Sequence, residues 1–283
     1  MYRIGLSVKT PTKELFAECR RAGIEVAEIS LPGEQYPTFD YRAAKTAAAE
    51  NGIELWSFHL PFVFELYDIS KRELSKNAVG ALSEMIARAA DIGIEKMVIH
   101  PSGEPIEESD RYDRMERAKQ SLVTLADCAR KNGCVLAVEN LPRTCLGRSS
   151  EEIAALTDAD ASLKVCFDTN HLLGGESSAD FIKRLGDRIV TTHVSDYDFL
   201  NERHWLPGEG RLDFSLALNA LASVGYNGVW LYEVGFDAPP SILRPRDLCC
   251  ADFAENARAL FAGERPCALG TPTKGLCAWN AAN

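Results

Sequence analysis

Short runs of β-branched and apolar residues recur along the whole chain, and between them apolar positions return at helical spacing. The runs are RIGLSV (3–8), VAEISL (26–31), ELWSFHL (54–60), KMVIHP (96–101), VLAVENL (135–141), KVCFDTN (164–170), IVTTHVS (189–195) and VWLYEV (229–234). Most are nearly continuous hydrophobic stretches rather than strict alternators, the pattern of parallel strands covered on both faces. The clearest of the intervening helices is predicted over 74–92, where Val79, Leu82, Ile86 and Ala89 or Ala90 share one face. Several helices run into a glycine just ahead of the next strand, as in RRAGIEV, AENGIEL, ADIGIEK and RKNGCVL. Glycine there supplies the left-handed turn that ends a helix. The alternation predicts eight βα units over residues 1–263, an α/β chain folded as a single (β/α)8 TIM barrel. Residues 264–283 show little periodicity and read as a short irregular C-terminal tail. A doubly wound open sheet is the rival, but it would gather functional residues at one switch point.

The chemistry-bearing residues instead end six different strands. All five histidines (His59, His100, His171, His193 and His204) lie at or just beyond the C-terminal end of a strand-like run. Glu139 ends LAVEN, Asp168 sits in VCFDTNH and Glu233 ends VWLYEV. Barrel enzymes build their active sites at these strand ends. Three carboxylates crowded at one mouth repel one another unless a cation or protons intervene. Glu139, Asp168, His193 and Glu233 are therefore predicted to hold one divalent metal ion (Mn2+, Mg2+, Co2+ or Zn2+). His59 and His100 read singly as either core or functional histidines, and their depth favours a substrate contact or a second metal. His171, three residues after Asp168, is expected to bind substrate or support the metal ligands. The loop SDYDFLNERHWLPGEGRLDF is longer than a plain connection needs. Its Pro-Gly-Glu-Gly turn (207–210) allows close backbone approach, and Arg203 and His204 could reach an anionic or polyol group. Trp56 and Trp205 read equally well as a sugar-binding wall or as packing.

A formal net charge of −10 argues against a nonspecific nucleic-acid surface. No window approaches about 18 uninterrupted apolar residues, so no membrane span is expected. Residues 1–8 enter strand-like sequence directly, so no signal peptide is expected and a cytoplasmic location follows. The nine cysteines then read as free thiols in a reducing compartment, packed as small hydrophobes rather than serving as metal ligands.

The order LAVEN, FDTNH, THVSD followed by HWLPGEG, then LYEV, resembles the xylose isomerase-like TIM-barrel superfamily over most of the barrel. That superfamily contains sugar and sugar-phosphate isomerases and epimerases, inosose dehydratases and endonuclease IV repair enzymes. In the isomerase and epimerase branch, the resemblance implies a metal on Glu139, Asp168, His193 and Glu233, with Glu139 and Glu233 as the proton-transfer pair. It implies substrate contacts from His171, and a small-molecule sugar or sugar phosphate as partner. A homo-oligomer is left open. Ketose epimerases often carry arginine where this chain has His204, although Arg203 is adjacent. The endonuclease IV branch holds up to three Zn2+, and its pattern is matched by His59, His100, Glu139, Asp168, His171, His193, Glu202, His204 and Glu233, with Glu202 in place of an aspartate. The acidic charge, and a first strand without histidine, favour sugar chemistry over an abasic-site nuclease. An inosose-type dehydratase and a noncatalytic sugar-binding barrel are the further alternatives.

Overall fold

In the computed structural model, residues 1–172 and 175–273 are described. The first half runs β1 (Arg3–Val8), α1 (Lys13–Ala22), β2 (Val26–Ile29), α2 (Tyr41–Glu50), β3 (Glu54–His59), α3 (Phe64–Tyr67), α4 (Ser75–Asp91), β4 (Lys96–Ile99) and α5 (Glu108–Lys131). It continues with β5 (Val135–Glu139), α6 (Ser150–Thr157), β6 (Lys164–Asp168), α7 (Ser178–Leu185), β7 (Ile189–His193), α8 (Phe214–Ser223) and β8 (Val229–Tyr232). The two-residue strand β9 (Ile242–Leu243), α9 (Cys250–Phe261) and β10 (Thr271–Pro272) complete it.

Strands β1 to β7 are successive parallel neighbours, and β1 also pairs with β8. Val194, just past β7, closes the ring: its N–H donates to the Leu231 carbonyl at 2.8 Å, and its carbonyl accepts from the Glu233 N–H at 3.1 Å. The sheet is thus a closed eight-stranded barrel, as the alternation predicts. The helix-to-strand turns also follow the glycine pattern. Gly23 is left-handed, with φ 85°, and the Ile24 N–H reaches back to the Cys19 carbonyl.

The main core lies between strands and helices. Two smaller apolar clusters fill the barrel itself: Val26, Val229 and Leu231 with Trp56, and Val98, Ala137 and Cys166 with Val190. Two register slips, β2 against β3 and β6 against β7, break the strict alternation of faces. At the first slip both Trp56 and Ser57 turn inward. Trp56 joins the lower cluster and donates to Thr191 Oγ1 at 3.1 Å, while Ser57 bonds the inward Glu28. The indole also carries the Lys96 ammonium on its face, 3.5 Å from the ring centroid. Trp56 therefore packs the barrel floor, which decides its role against a sugar-binding wall.

Within the segment read as an irregular tail, β10 pairs antiparallel with β9. Residues 274–283 of that tail lie outside the described residues. Among the described residues, no helix is long and apolar enough to cross a membrane.

Helix α9 starts on a reciprocal cap. The Asp252 carboxylate accepts from the Cys249 N–H at 2.8 Å and from the Arg246 guanidinium at 2.6 and 2.8 Å. The Arg246 hydrogen bond leads in holding the Asp252 pKa down to about 2, against the 3.8 of a free aspartate. A depressed carboxyl pKa contributes stability above the unfolded-state value, and that contribution is lost as pH falls through the folded value. Asp252→Asn should therefore lower Tm at pH 7, with the gap to wild type shrinking between about pH 4 and pH 2. Paired thermal melts across that range check this; a gap independent of pH would contradict it.

Candidate functional site

The C-terminal mouth of the barrel gathers the five histidines and Glu139, Asp168, Glu202 and Glu233 into one connected set of polar contacts. Glu139, at the end of β5 and 0 % exposed, is its centre. Its Oε2 lies 3.1 Å from Nε2 of both His59 and His100, and its Oε1 lies 3.0 Å from His193 Nδ1 and 3.6 Å from His171 Nδ1. One buried anion thus faces imidazoles from four strands.

Potential ligand atoms form three principal groups, within each of which they lie no more than 4.8 Å apart. The first is Glu139, Asp168, His193 and Glu233. The second is His59, His100 and Glu139, which shares its carboxylate with the first. The third is His171, Glu202 and His204. Cys166 also lies beside Glu139 and His193, and burial pushes its thiol well above the ordinary range.

Three of the histidines share a mode of anchorage. His59 Nδ1 donates to the Leu60 carbonyl at 2.8 Å, His171 Nδ1 to the Asn140 carbonyl at 2.8 Å and His204 Nδ1 to the Glu233 carbonyl at 3.1 Å. Each thereby turns Nε2 toward carboxylate oxygen. Fixing one ring nitrogen on an acceptor and freeing the other is how ligating histidines are oriented. Asp168 Oδ2 and Glu233 Oε2 are buried and have no hydrogen-bond partner among the described residues. Oxygens of a buried carboxylate left so are costly unless something positive meets them.

The electrostatics make the same point. Burial pushes the Asp168 carboxyl well above the usual range; His171 opposes this, while Glu233 and Glu139 add to it. Burial would also raise Glu139, but His193 and His100 hold it well below the carboxylate range. Burial acts to lower His171, yet Asp168 and Glu202 push it up to about 10. His204 reaches about 9 against the same burial, chiefly through its hydrogen bond with Glu202. His100 goes the other way, lowered by burial.

A cavity of about 890 Å3 opens beside the cluster, lined among others by Glu233, His204, Arg203, Phe62, Ser7 and Lys9. Arg203 borders it while bonded to Asp198 through Nε at 2.9 Å and Nη2 at 2.8 Å. Trp205 is buried under the same loop, its indole donating to Ser241 Oγ at 2.9 Å, so it packs rather than lines the opening.

The profile of the xylose isomerase-like TIM barrel family matches residues 16–248, a span that contains all five histidines and Glu139, Asp168, Glu202 and Glu233. The chain belongs to that family. Among its relatives is an uncharacterised protein of Methanocaldococcus jannaschii, 28% identical over 180 residues, covering 60% of this chain and 61% of that protein. The match to this relative thus spans less than two thirds of its length. The L-ribulose 3-epimerase of Mesorhizobium japonicum is 24% identical over 241 residues, covering 80% of this chain and 79% of the relative. A probable endonuclease 4 of Staphylococcus epidermidis is 29% identical over 181 residues, with 57% and 59% covered. A solved structure of L-ribulose 3-epimerase superposes with a TM-score of 0.77 at 20% identity, covering 93% of this chain and 94% of the other.

Four residues of this xylose isomerase-like barrel carry weight that sequence reading missed. Glu28, a lone acid in the apolar run VAEISL, is fully buried and bonds His193. Asn140 clamps the backbone of Asp168, accepting from its N–H at 2.8 Å and donating to its carbonyl at 2.9 Å. Arg143 pairs with both Glu104 and Glu202. Asp196 organises the long loop. Its carboxylate accepts from the N–H groups of Tyr197, Gly208, Gly210 and Leu212 at 2.8 to 3.0 Å. A Cβ on Gly210 would stand 2.3 Å from Asp196 Oδ1, and Gly208 has φ 98°, so both glycines of the turn are required. The clue was the Pro-Gly-Glu-Gly turn, which needed an anion to gather its donors. Just before it, His204 is held at φ 49°, unusual for a residue with a Cβ. Asp196→Ala should cost about 3 kcal/mol, since hydrogen bonds to a charged acceptor carry roughly 1.5–3 kcal/mol each and not all need be lost outright. Denaturant midpoints should fall, and limited proteolysis should open between residues 197 and 212; an unchanged midpoint would refute this.

Proposed function

We propose that this protein is a divalent-metal-dependent sugar or sugar-phosphate isomerase or epimerase that works by proton transfer between substrate carbon and two glutamates. The observation that carries the reading is the convergence of Glu139 and Glu233 with Asp168 and His193, two of whose carboxylate oxygens are buried without a hydrogen-bond partner among the described residues. These four residues fit a divalent ion: three carboxylates and one imidazole, on the ends of neighbouring strands. Bound there, such an ion supplies polarisation of a ketose carbonyl and its adjacent hydroxyl, which lowers the cost of removing the neighbouring C–H proton.

The two glutamates are held differently. Glu139 is pinned at both oxygens by His59, His100 and His193. Glu233 lines the cavity, and its buried Oε2 has no hydrogen-bond partner among the described residues. In this reading Glu233 meets substrate from the cavity side, and Glu139 from the barrel side. One takes the proton from the carbon next to the carbonyl and the other returns it, on the same carbon for epimerisation or on its neighbour for aldose–ketose exchange. His171, His204 and Arg203 would bind substrate hydroxyls or a phosphate at the rim, and His59 and His100 would orient Glu139 from below. The epimerase named among the relatives supports the substrate class.

One observation favours a second reading. His59 and His100 with Glu139, and His171 with Glu202 and His204, are donor groups of the kind that would take two further zinc ions. Three zincs would fit phosphoester hydrolysis as in endonuclease IV. The net charge of −10 weighs against a duplex DNA substrate.

Metal analysis of the purified protein separates the two: one divalent ion per chain supports the isomerase, three zincs the nuclease. Incubated with ketoses and ketose phosphates in D2O, the metal-loaded protein should exchange the proton α to the carbonyl. Glu139→Gln and Glu233→Gln should each slow that exchange by about 10²- to 10⁴-fold. Cleavage of abasic duplex DNA with every sugar left untouched would overturn the assignment, and near-normal exchange in either variant would overturn the two-glutamate scheme.

A further inference from the structure

Three histidines of the site are fixed on backbone carbonyls, whereas His193 is not. It lies within β7, inside the barrel, and its Nε2 faces the Glu28 carboxylate, 3.0 Å from Oε1 and 3.2 Å from Oε2. Glu28 comes from β2 on the far side of the ring and is 0 % exposed. Its own orientation is fixed at both ends. Ser7 on β1 donates to Oε1 at 3.0 Å, and Ser57 on β3 donates to Oε2 at 2.7 Å. The flanking strands therefore clamp the carboxylate so that its remaining lone pairs point across the barrel. The slip between β2 and β3 is what brings Ser57 opposite Glu28.

An ionised carboxylate only accepts hydrogen bonds. Both serine hydroxyls already give it their protons, so the imidazole nitrogen that faces it must bring the third. Nδ1 faces the quartet, 3.0 Å from Glu139 Oε1, 3.5 Å from Glu233 Oε2 and 3.9 Å from Asp168 Oδ2. A neutral His193 that keeps its one hydrogen on Nε2 for Glu28 would turn the Nδ1 lone pair to a metal held there, in place of the hydrogen bond to Glu139. We propose that Glu28 is a positioning residue: clamped by Ser7 and Ser57, it selects the Nε2–H tautomer of His193 and so presents Nδ1 as the nitrogen ligand of the metal quartet. This deepens the metal-site reading and rests on it. A carboxylate also makes the imidazole a stronger base than a carbonyl would, which tightens the ligand.

The test combines zinc affinity by chelator competition with 15N NMR of histidine-labelled, zinc-loaded protein. Wild type should show His193 protonated at Nε2 and unprotonated at Nδ1, with the Nε2 hydrogen slow to exchange. Glu28→Gln keeps the size of the side chain but replaces one acceptor by a donor, so it cannot satisfy both serines and His193. It should weaken zinc binding by about 10- to 100-fold and abolish the single-tautomer pattern. The double variant Ser7→Ala/Ser57→Ala retains the carboxylate but frees it, and should give a smaller loss with partial mixing of tautomers. If Glu28→Gln does not fold, the wild-type spectrum and the serine variant decide. His193 protonated on Nδ1 in wild type, or zinc binding within about twofold of wild type in folded Glu28→Gln, would overturn the role of Glu28 alone. A wild-type chain that takes up no divalent ion would overturn the metal reading beneath it.

Discussion

The mouth of this barrel depends on how one buried anion is neutralised. Glu139 stands where imidazoles from β3, β7 and the turns after β4 and β6 converge, and among the described residues no other group meets all of them. Inside a protein an unpaired carboxylate costs several kcal/mol, and so does an unpaired imidazolium, so each of these residues makes the others tolerable. Remove the carboxylate, and His59, His100 and His193 lose their shared acceptor at once. Two of the three donor groups meet at this carboxylate.

The sheet makes that convergence achievable. Apolar side chains fill the lower barrel, while the inward positions above them carry Glu28, Ser57, His59, Glu139 and His193. Two register slips let the chain change from one to the other, since a strict two-residue period would send half of those residues outward. Trp56 marks the boundary, packed on apolar neighbours with its one polar atom bonded to Thr191. Floor and site are therefore layers of one barrel, and the rigidity of the floor is passed on to the ligands.

The eight strands were legible because parallel strands buried on both faces leave continuous apolar runs, and the strand-end acids and histidines stood out against them. The same logic hid Glu28. A single acid in VAEISL looks like a solvated interruption, and nothing local says that Ser7 and Ser57 lie beside it; that information is in the pairing of β1, β2 and β3. Trp56 was ambiguous for a related reason, since the slip that turns it inward is not written in ELWSFHL. Asp196 was overlooked in THVSD because its partners are backbone N–H groups up to sixteen residues away, which have no sequence signature beyond the glycines that admit them. Side chains that act alone at strand ends can be read from one dimension. Those that act by holding something else cannot.

Asn140 has a wider consequence. By accepting from the Asp168 N–H and donating to its carbonyl, its side chain imitates a further rung of the β5–β6 ladder just where the strands give way to loops. The backbone that carries Asp168 is therefore held by the sheet and its extension rather than by the connections above. A fold arranged in this way separates what reacts from what is recognised. Insertions, deletions and substitutions can remodel the rim, and with it any molecule admitted, while the strand-end side chains stay in register, which is how a barrel can change what it recognises over evolutionary time without changing its frame.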